Sequence, residues 1–378
     1  MTNLVGLRKE AEYREVDATL PEKPVSLPYE LRTEMTWVDF CNPVNPMGTP
    51  KQIVQTIHAA LVDGELNYSP DRDAHAFRNS LGKYFGLSSE WILAGTSANQ
   101  MIAAAALAFS PCKVGISTPC PAEYMIAIGN AGHECVAFTN SISFSALDAY
   151  SARAEFGDFD GAVLANPAYP TSRLLSQQIL VHYLETSSWV IVDESNIELS
   201  FGAESAVPLC KKYPNLIVVR SPSTTFSMPG TPLSYMVANP DTIARIRKTY
   251  GGDDISMFAE VLSDVIVSLD GYIDDTHEFL DKEIPWMQCM ISLIPGVSIY
   301  PAEGNFVLCE FKPADGIRLG VTCADELVVR LQLAGFLVRR LEDAPGLEGE
   351  GFFCVCVRCR QDNERLLSAM RNIINVSE

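Results

Sequence analysis

The sequence predicts a two-part protein: a large α/β domain on a largely parallel sheet, followed by a smaller α+β domain. Three observations carry that expectation. The chain has 378 residues, more than one minimal domain needs. From Phe40 to about Pro240, short apolar runs alternate with helical stretches. The runs are continuous rather than alternating with polar residues, the pattern of strands covered on both faces. Beyond Asp241 the pattern changes to a long helical region reaching Leu293, then short strands and a closing helix.

Taken in order, residues 1–35 are polar and punctuated by proline (PEKPVSLPYELR). They read as an arm, expected to pack with the small domain. The large domain is expected over residues 36–245. Its strand candidates are KVGIST (113–118), CVAFT (135–139), GAVLAN (161–166), WVIVDE (189–194), LIVVRS (216–221) and SYMVAN (234–239). QMIAAAALAF (100–109) reads as a helix buried on most sides. The small domain is expected over 246–378, with strands at VSIY (297–300), NFVLCEF (305–311), GFLVRRL (335–341) and FFCVCVR (352–358). The helix NERLLSAMRNIIN (363–375) closes it. No internal repeat or low-complexity segment is visible.

Composition narrows the function classes. With 28 basic and 47 acidic residues the formal net charge is −19, which disfavours nucleic acid, whose phosphates call for clustered Lys and Arg. The apolar run IAAAALAF (102–109) is too short to cross a bilayer. Eleven cysteines form no disulfide framework by spacing, and the opening MTNLVGLRKEAEYREVD offers no apolar leader. A cytoplasmic protein with reduced thiols is expected. Cys354 and Cys356 share a strand face that Cys359 does not, so they read as core thiols rather than metal ligands. No metal site is expected. Cys120 has no histidine near it in sequence, and the five histidines (58, 75, 133, 182, 277) read as surface or packing residues.

In an open α/β sheet, ligands bind beyond the carboxyl ends of the strands. That places Asn166-Pro167, Asp193-Glu194 and Arg220-Ser221 around one crevice. The hydroxyl row that follows, Ser221, Ser223, Thr224, Thr225 and Ser227, either cradles a polar ligand or satisfies its own backbone.

The order of these clusters resembles the fold-type I pyridoxal-phosphate enzymes, and within them the histidinol-phosphate aminotransferases and threonine-phosphate decarboxylases. The matches run nearly end to end: N-P-V-N-P-M-G (42–48), Y-S-P-D (68–71), A-G-T-S-A-N (94–99), E-Y (123–124), N-P-A-Y-P-T-S (166–172), V-D-E (192–194), R-S (220–221), P-G (229–230), G-N-F (304–306), G-F-L-V-R (335–339) and V-R-C-R-Q-D-N-E-R-L-L (357–367). The resemblance implies a mainly parallel mixed sheet sandwiched by helices, and a homodimer. It gives Asp193 the place of the carboxylate that pairs with the cofactor's ring nitrogen. Ser221 and the turn at Ser97-Ala98 take phosphate-binding places, and Tyr68 that of a tyrosine reaching across from the neighbouring subunit.

Six departures surround the same pocket. Ungapped alignment places Thr224 where the Schiff-base lysine belongs, and a hydroxyl forms no imine. Pro232 stands in place of a phosphate-clamping arginine, and Pro121 in place of a stacking aromatic. Tyr169 replaces an asparagine beside the ring hydroxyl, Asn196 replaces a tyrosine, and Cys354 replaces an arginine that holds the substrate carboxylate. The catalytic candidates are therefore Asp193, Tyr169 and Thr224. Tyr68, Ser97, Ala98, Asn196, Ser221, Ser223, Asn305, Arg339 and Arg358 complete the pocket set. The expectation is an enzyme repurposed for condensation, cyclisation, hydrolysis or acyl transfer on a small amino-acid-like or phosphorylated substrate, with no cofactor and no nucleic-acid or membrane partner. The alternatives are a non-catalytic partner of an active homologue, a non-covalent binder of pyridoxal or pyridoxamine phosphate, and last an ordinary aminotransferase or decarboxylase.

Overall fold

The computed structural model describes residues 37–139, 158–250, 255–313, 319–347 and 351–375. The expected arm (1–35) lies outside them. The chain divides into a unit of residues 1–37 and a unit of 38–378, and the description that follows is of the second.

Its elements run β1 (Val38–Asp39), α1 (Lys51–Val62), α2 (His75–Phe85), β2 (Ile92–Gly95), α3 (Ala98–Leu107), β3 (Lys113–Thr118), α4 (Ala122–Asn130), β4 (Glu134–Thr139), β5 (Gly161–Ala165), α5 (Gln177–Thr186), β6 (Trp189–Asp193), β7 (Leu216–Arg220), α6 (Pro222–Thr225) and β8 (Ser234–Ala238). There follow α7 (Pro240–Thr249), α8 (Met257–Val261), α9 (Asp270–Ser292), β9 (Val297–Ile299), β10 (Phe306–Phe311), α10 (Ala324–Leu333), β11 (Phe336–Leu337), β12 (Arg339–Arg340), β13 (Phe352–Cys356) and α11 (Arg360–Ile374). Seven strands form the large sheet in the order β2-β8-β7-β6-β5-β3-β4. The pairs from β4 through β7 are parallel, whereas β8 runs antiparallel to both β7 and β2. A mainly parallel mixed sheet is thus present.

All six strand candidates of the large domain lie in this sheet, within a residue of their expected ends. β2 was not among them, because ILAG is short and runs straight into the A-G-T-S-A-N turn. Every residue of β6, β7 and β8 is buried, which is why they read as unbroken apolar runs. Two clusters cover the sheet: one includes Leu164, Val192 and Val218, the other Val163, Ile191 and Val219. Neighbouring residues thus alternate between the faces.

The small sheet is antiparallel, ordered β12-β13-β10-β9, and packs on α9, α10 and α11 through Met287, Leu327 and Leu366. The expected boundary at residue 245 falls inside α7. That helix buries Ile243 and Ile246 in the same cluster as Val219 and Met236 of the large sheet, so apolar packing keeps it with the first layer. Among the described residues, no helix is long and apolar enough to cross a membrane.

Close approach explains one glycine in the sheet. A Cβ on Gly161 would sit 2.4 Å from the fully buried Trp189 ring. Gly161→Ala is expected to destabilise the protein by about 1–3 kcal/mol through overpacking, read as a lower urea midpoint with an unchanged slope.

Candidate active site

The floor of the crevice is Asp193, the last residue of β6. Both of its carboxylate oxygens are occupied. Oδ2 accepts the Tyr124 hydroxyl at 2.5 Å, and Oδ1 accepts the Ser195 amide at 2.9 Å and its hydroxyl at 2.5 Å. Tyr124 comes from α4 and is itself buried. Burial, reinforced by the Asp193 charge, pushes its phenol well above the usual tyrosine range, so it stays a donor.

Beside this floor, the turn after β7 closes upon itself. Ser221 caps α6, its hydroxyl accepting the Thr224 amide at 3.4 Å and the Thr224 hydroxyl at 3.1 Å. The Ser223 hydroxyl lies 2.6 Å from the Thr231 carbonyl and accepts the Leu233 amide at 2.7 Å. The Thr225 hydroxyl donates to Glu198 at 3.0 Å. Of the two roles open to this row, these four side chains take the one that satisfies the loop. Ser223 in particular anchors residues 231–233 and does not face a ligand, because two carbonyls and an amide of its own loop surround its hydroxyl.

An ion cluster supports the turn from behind. Arg220 bonds Glu194 at 3.1 Å, Ser205 at 3.0 Å, and also Glu198. Glu194 is fully buried and further receives the Ala206 amide at 2.5 Å. Burial raises its pKa, and Arg220 with the two local donors pulls back against it. His277 donates Nε2–H to the Glu198 carbonyl oxygen, 3.0 Å away.

The segment before α1 ties this turn to the small domain. Asn45 donates its amide N–H to the Thr224 carbonyl (3.1 Å) and its Nδ2 to the Thr225 carbonyl (3.0 Å) and the Thr276 hydroxyl (2.9 Å). Asn305 of the small domain donates Nδ2 to the Val44 carbonyl at 3.1 Å. Its Oδ1 is buried without a partner, as is Oδ1 of Asn196.

The opposite wall carries the aromatic and cationic candidates. Tyr169 packs its half-buried ring on Phe306, centroids 5.2 Å apart. Arg339 pairs with Asp343 at 3.3 Å. The Arg358 side chain makes no hydrogen bond or ion pair with any described residue; only its backbone is tied, to Asn363.

The remaining candidates stand apart. Ser97 is the N-cap of α3, its hydroxyl accepting the Gln100 amide at 3.3 Å, and Ala98 is that helix's first residue. Tyr68 is 71% exposed and its hydroxyl bonds no described residue. Sequence reasoning missed Tyr124, Ser195 and Asn45 as site residues. Tyr124 and Asn45 sit in matched stretches (E-Y and N-P-V-N-P-M-G), which was the only signal available. Cys354 and Cys356 are buried among Tyr300, Phe306 and Leu308, as expected for core thiols.

Comparison with known proteins agrees with this architecture. The sequence profile of aminotransferase class I and II matches residues 35–261. A putative threonine-phosphate decarboxylase from Caldanaerobacter subterraneus is 27% identical over 87% of this chain and 88% of its own length. A histidinol-phosphate aminotransferase from the same organism is 27% identical over 93% and 95%. Among solved structures, the histidinol-phosphate aminotransferase of Clostridium acetobutylicum superposes with a TM-score of 0.76 at 24% identity, covering 89% of this chain and 98% of its own. That of Sinorhizobium meliloti, solved in complex with pyridoxal-5'-phosphate, gives 0.75 at 16% identity, covering 92% and 95%. Sheet order, crevice and profile together make the chain a member of the aminotransferase class I and II family. Within it, the chain is related to histidinol-phosphate aminotransferases and threonine-phosphate decarboxylases.

Glu194→Ala would leave Arg220 buried without its innermost partner. A loss of about 3–5 kcal/mol is expected, measured by equilibrium denaturation. His277 gives a pH signature. Burial lowers its pKa below 6.5, so the unfolded chain takes up the proton first as pH drops. Its contribution to stability is complete above pH 6.5 and is lost as pH falls through the lowered folded value. His277→Gln should flatten the stability–pH curve in that window.

Proposed function

We propose that this chain works without a Schiff base, binding a small amino-acid-like or phosphorylated molecule in the old cofactor crevice and transforming it by polar chemistry. The observation that carries this reading is the closed turn at 221–225. Thr224 has no amine to form an imine, and its hydroxyl is already engaged by Ser221 at 3.1 Å. Fit to pyridoxal phosphate is poor at the phosphate end too, where the Ser221 and Ser223 hydroxyls hold their own loop and Pro232 has no side-chain donor. Among the described residues, no lysine makes a hydrogen bond or ion pair with a residue of the crevice; Lys211 reaches Gly86 and Lys282 reaches Glu278.

The chain's own groups suggest a division of labour. Arg358 is a half-buried cation whose side chain makes no hydrogen bond or ion pair with a described residue, and it takes the ligand's anion. Asp193, held as an acceptor by Tyr124 and Ser195, faces the ligand's cationic nitrogen or receives its proton. Asn196 and Asn305 each keep a buried Oδ1 with no partner among the described residues. A dimer, with Tyr68 of one subunit meeting the other's crevice, follows from the family resemblance and suits the exposure of that side chain.

A second reading has one observation in its favour: Asp193 is retained at the end of β6. On that reading the crevice holds pyridoxal or pyridoxamine phosphate without a covalent bond, the ring nitrogen sharing Asp193 with Tyr124.

Calorimetric titration separates the two. The first reading expects L-threonine O-phosphate to bind the purified protein without added cofactor, and Arg358→Gln to weaken binding at least about tenfold, the loss of a charged hydrogen bond. Tight one-to-one binding of pyridoxal phosphate, with phosphothreonine binding only afterwards, would overturn it.

A further inference from the structure

Strand register identifies which side chains of the small sheet share a face. Directly opposed residues of an antiparallel pair share a face, as do residues two apart on one strand. Arg339 opposes Cys354, and Phe306 opposes Cys356. All four therefore lie on one face. Beyond the end of β13 the pairing persists for another residue, since the Val357 amide donates to the Asn305 carbonyl at 2.6 Å. That extension carries Arg358 to the same side as Cys356. Burial and the Asp39 carboxylate raise the pKa of the nearby Cys41 thiol, and both arginines oppose them. Onto this face the large domain lays Tyr169, its ring against Phe306.

The resemblance puts Cys354 where an arginine would hold a substrate carboxylate, and a buried thiol is a weak donor. We propose that Tyr169 supplies the missing donor: its phenol O–H and the Arg358 guanidinium form the anion-binding end of the crevice, which takes the phosphate or carboxylate of a small amino-acid-like molecule. Tyr169 is thus a specificity-determining residue, and the inference rests on the cofactor-free reading given above.

Three features suit Tyr169 to this role. Its side chain is half-buried against Phe306, and its hydroxyl bonds no described residue, so the phenol is left without a partner inside the protein. Its ring is fixed, because its loop is latched to the small domain at Glu303 and Gly304. The Ser172 hydroxyl accepts the Gly304 amide at 2.8 Å, and Glu303 accepts the Leu174 amide at 2.9 Å and pairs with Arg173. Burial raises the phenol's pKa well above the usual range, so it meets an anion as a donor. The Arg339 charge also acts on the phenol, but Asp343 pairs with that guanidinium and offsets it.

The test is calorimetry on the full chain with L-threonine O-phosphate, L-threonine and inorganic phosphate as separate probes, using wild type, Tyr169→Phe and Arg358→Gln. Tyr169→Phe keeps the ring on Phe306 and removes only the hydroxyl. It should weaken phosphothreonine binding about tenfold at an unchanged melting temperature. Preference for phosphothreonine over L-threonine assigns the end to phosphate; the reverse assigns it to carboxylate. If Tyr169→Phe binds as wild type does while Arg358→Gln fails, the assignment of Tyr169 is overturned and the cofactor-free reading stands. Tight uptake of pyridoxal phosphate by wild type would sink that reading instead. Should Tyr169→Phe misfold, wild type labelled with fluorotyrosine gives a second readout. The resonance of residue 169 should shift on adding phosphothreonine, and no shift at saturation would overturn the proposal.

Discussion

A single buried guanidinium fixes the geometry on which the crevice depends. Arg220 ends a fully buried strand and is itself almost wholly buried, so it needs its counter-charges inside the protein. It finds them in Glu194 and Glu198, which follow the neighbouring strand, and Glu198 then accepts the hydroxyl of Thr225. Asp193 and the 221–225 turn are thereby held in register across two adjacent strand ends. The same cluster keeps the turn wound even though its own hydroxyls, rather than a ligand, satisfy it.

A second tie runs through Asn45. By bonding the carbonyls of Thr224 and Thr225 while its neighbour Val44 accepts from Asn305, it joins the floor of the crevice to the wall that carries Arg358. On the other side, Ser172 and Glu303 latch the Tyr169 loop to the small domain. The two walls are therefore set relative to each other by hydrogen bonds from both rims, and polar groups that face the space between have defined positions. Such preorganisation suits the proposed binding without a covalent anchor, since preorganised donors lose little freedom on meeting a ligand.

Much of this was legible in the sequence. Continuous apolar runs such as LIVVR announce strands buried on both faces, and six of them located most of the large sheet. β2 escaped because four residues carry too little pattern, and the boundary expected at residue 245 falls inside α7 because a helix that covers one sheet looks the same in sequence as one that starts a new domain. The crevice residues were legible by their place after strand ends, but their partners were not. Tyr124 meets Asp193 across 69 residues, a pairing no local pattern encodes. The hydroxyl row left two roles open, and only three-dimensional neighbours, the carbonyls of Thr231 and Leu233 above all, decided for the structural one at Ser223.

On the function proposed above, ligand recognition has passed from a covalent bond at position 224 to charge and hydrogen bonds at the far wall. Reductive trapping tests it most directly. Purified protein is mixed with excess pyridoxal phosphate, reduced with borohydride and mapped by peptide mass spectrometry. The account predicts at most scattered, substoichiometric labelling of surface lysines. Stoichiometric phosphopyridoxyl modification of one lysine would contradict it and return the protein to conventional aldehyde-cofactor chemistry.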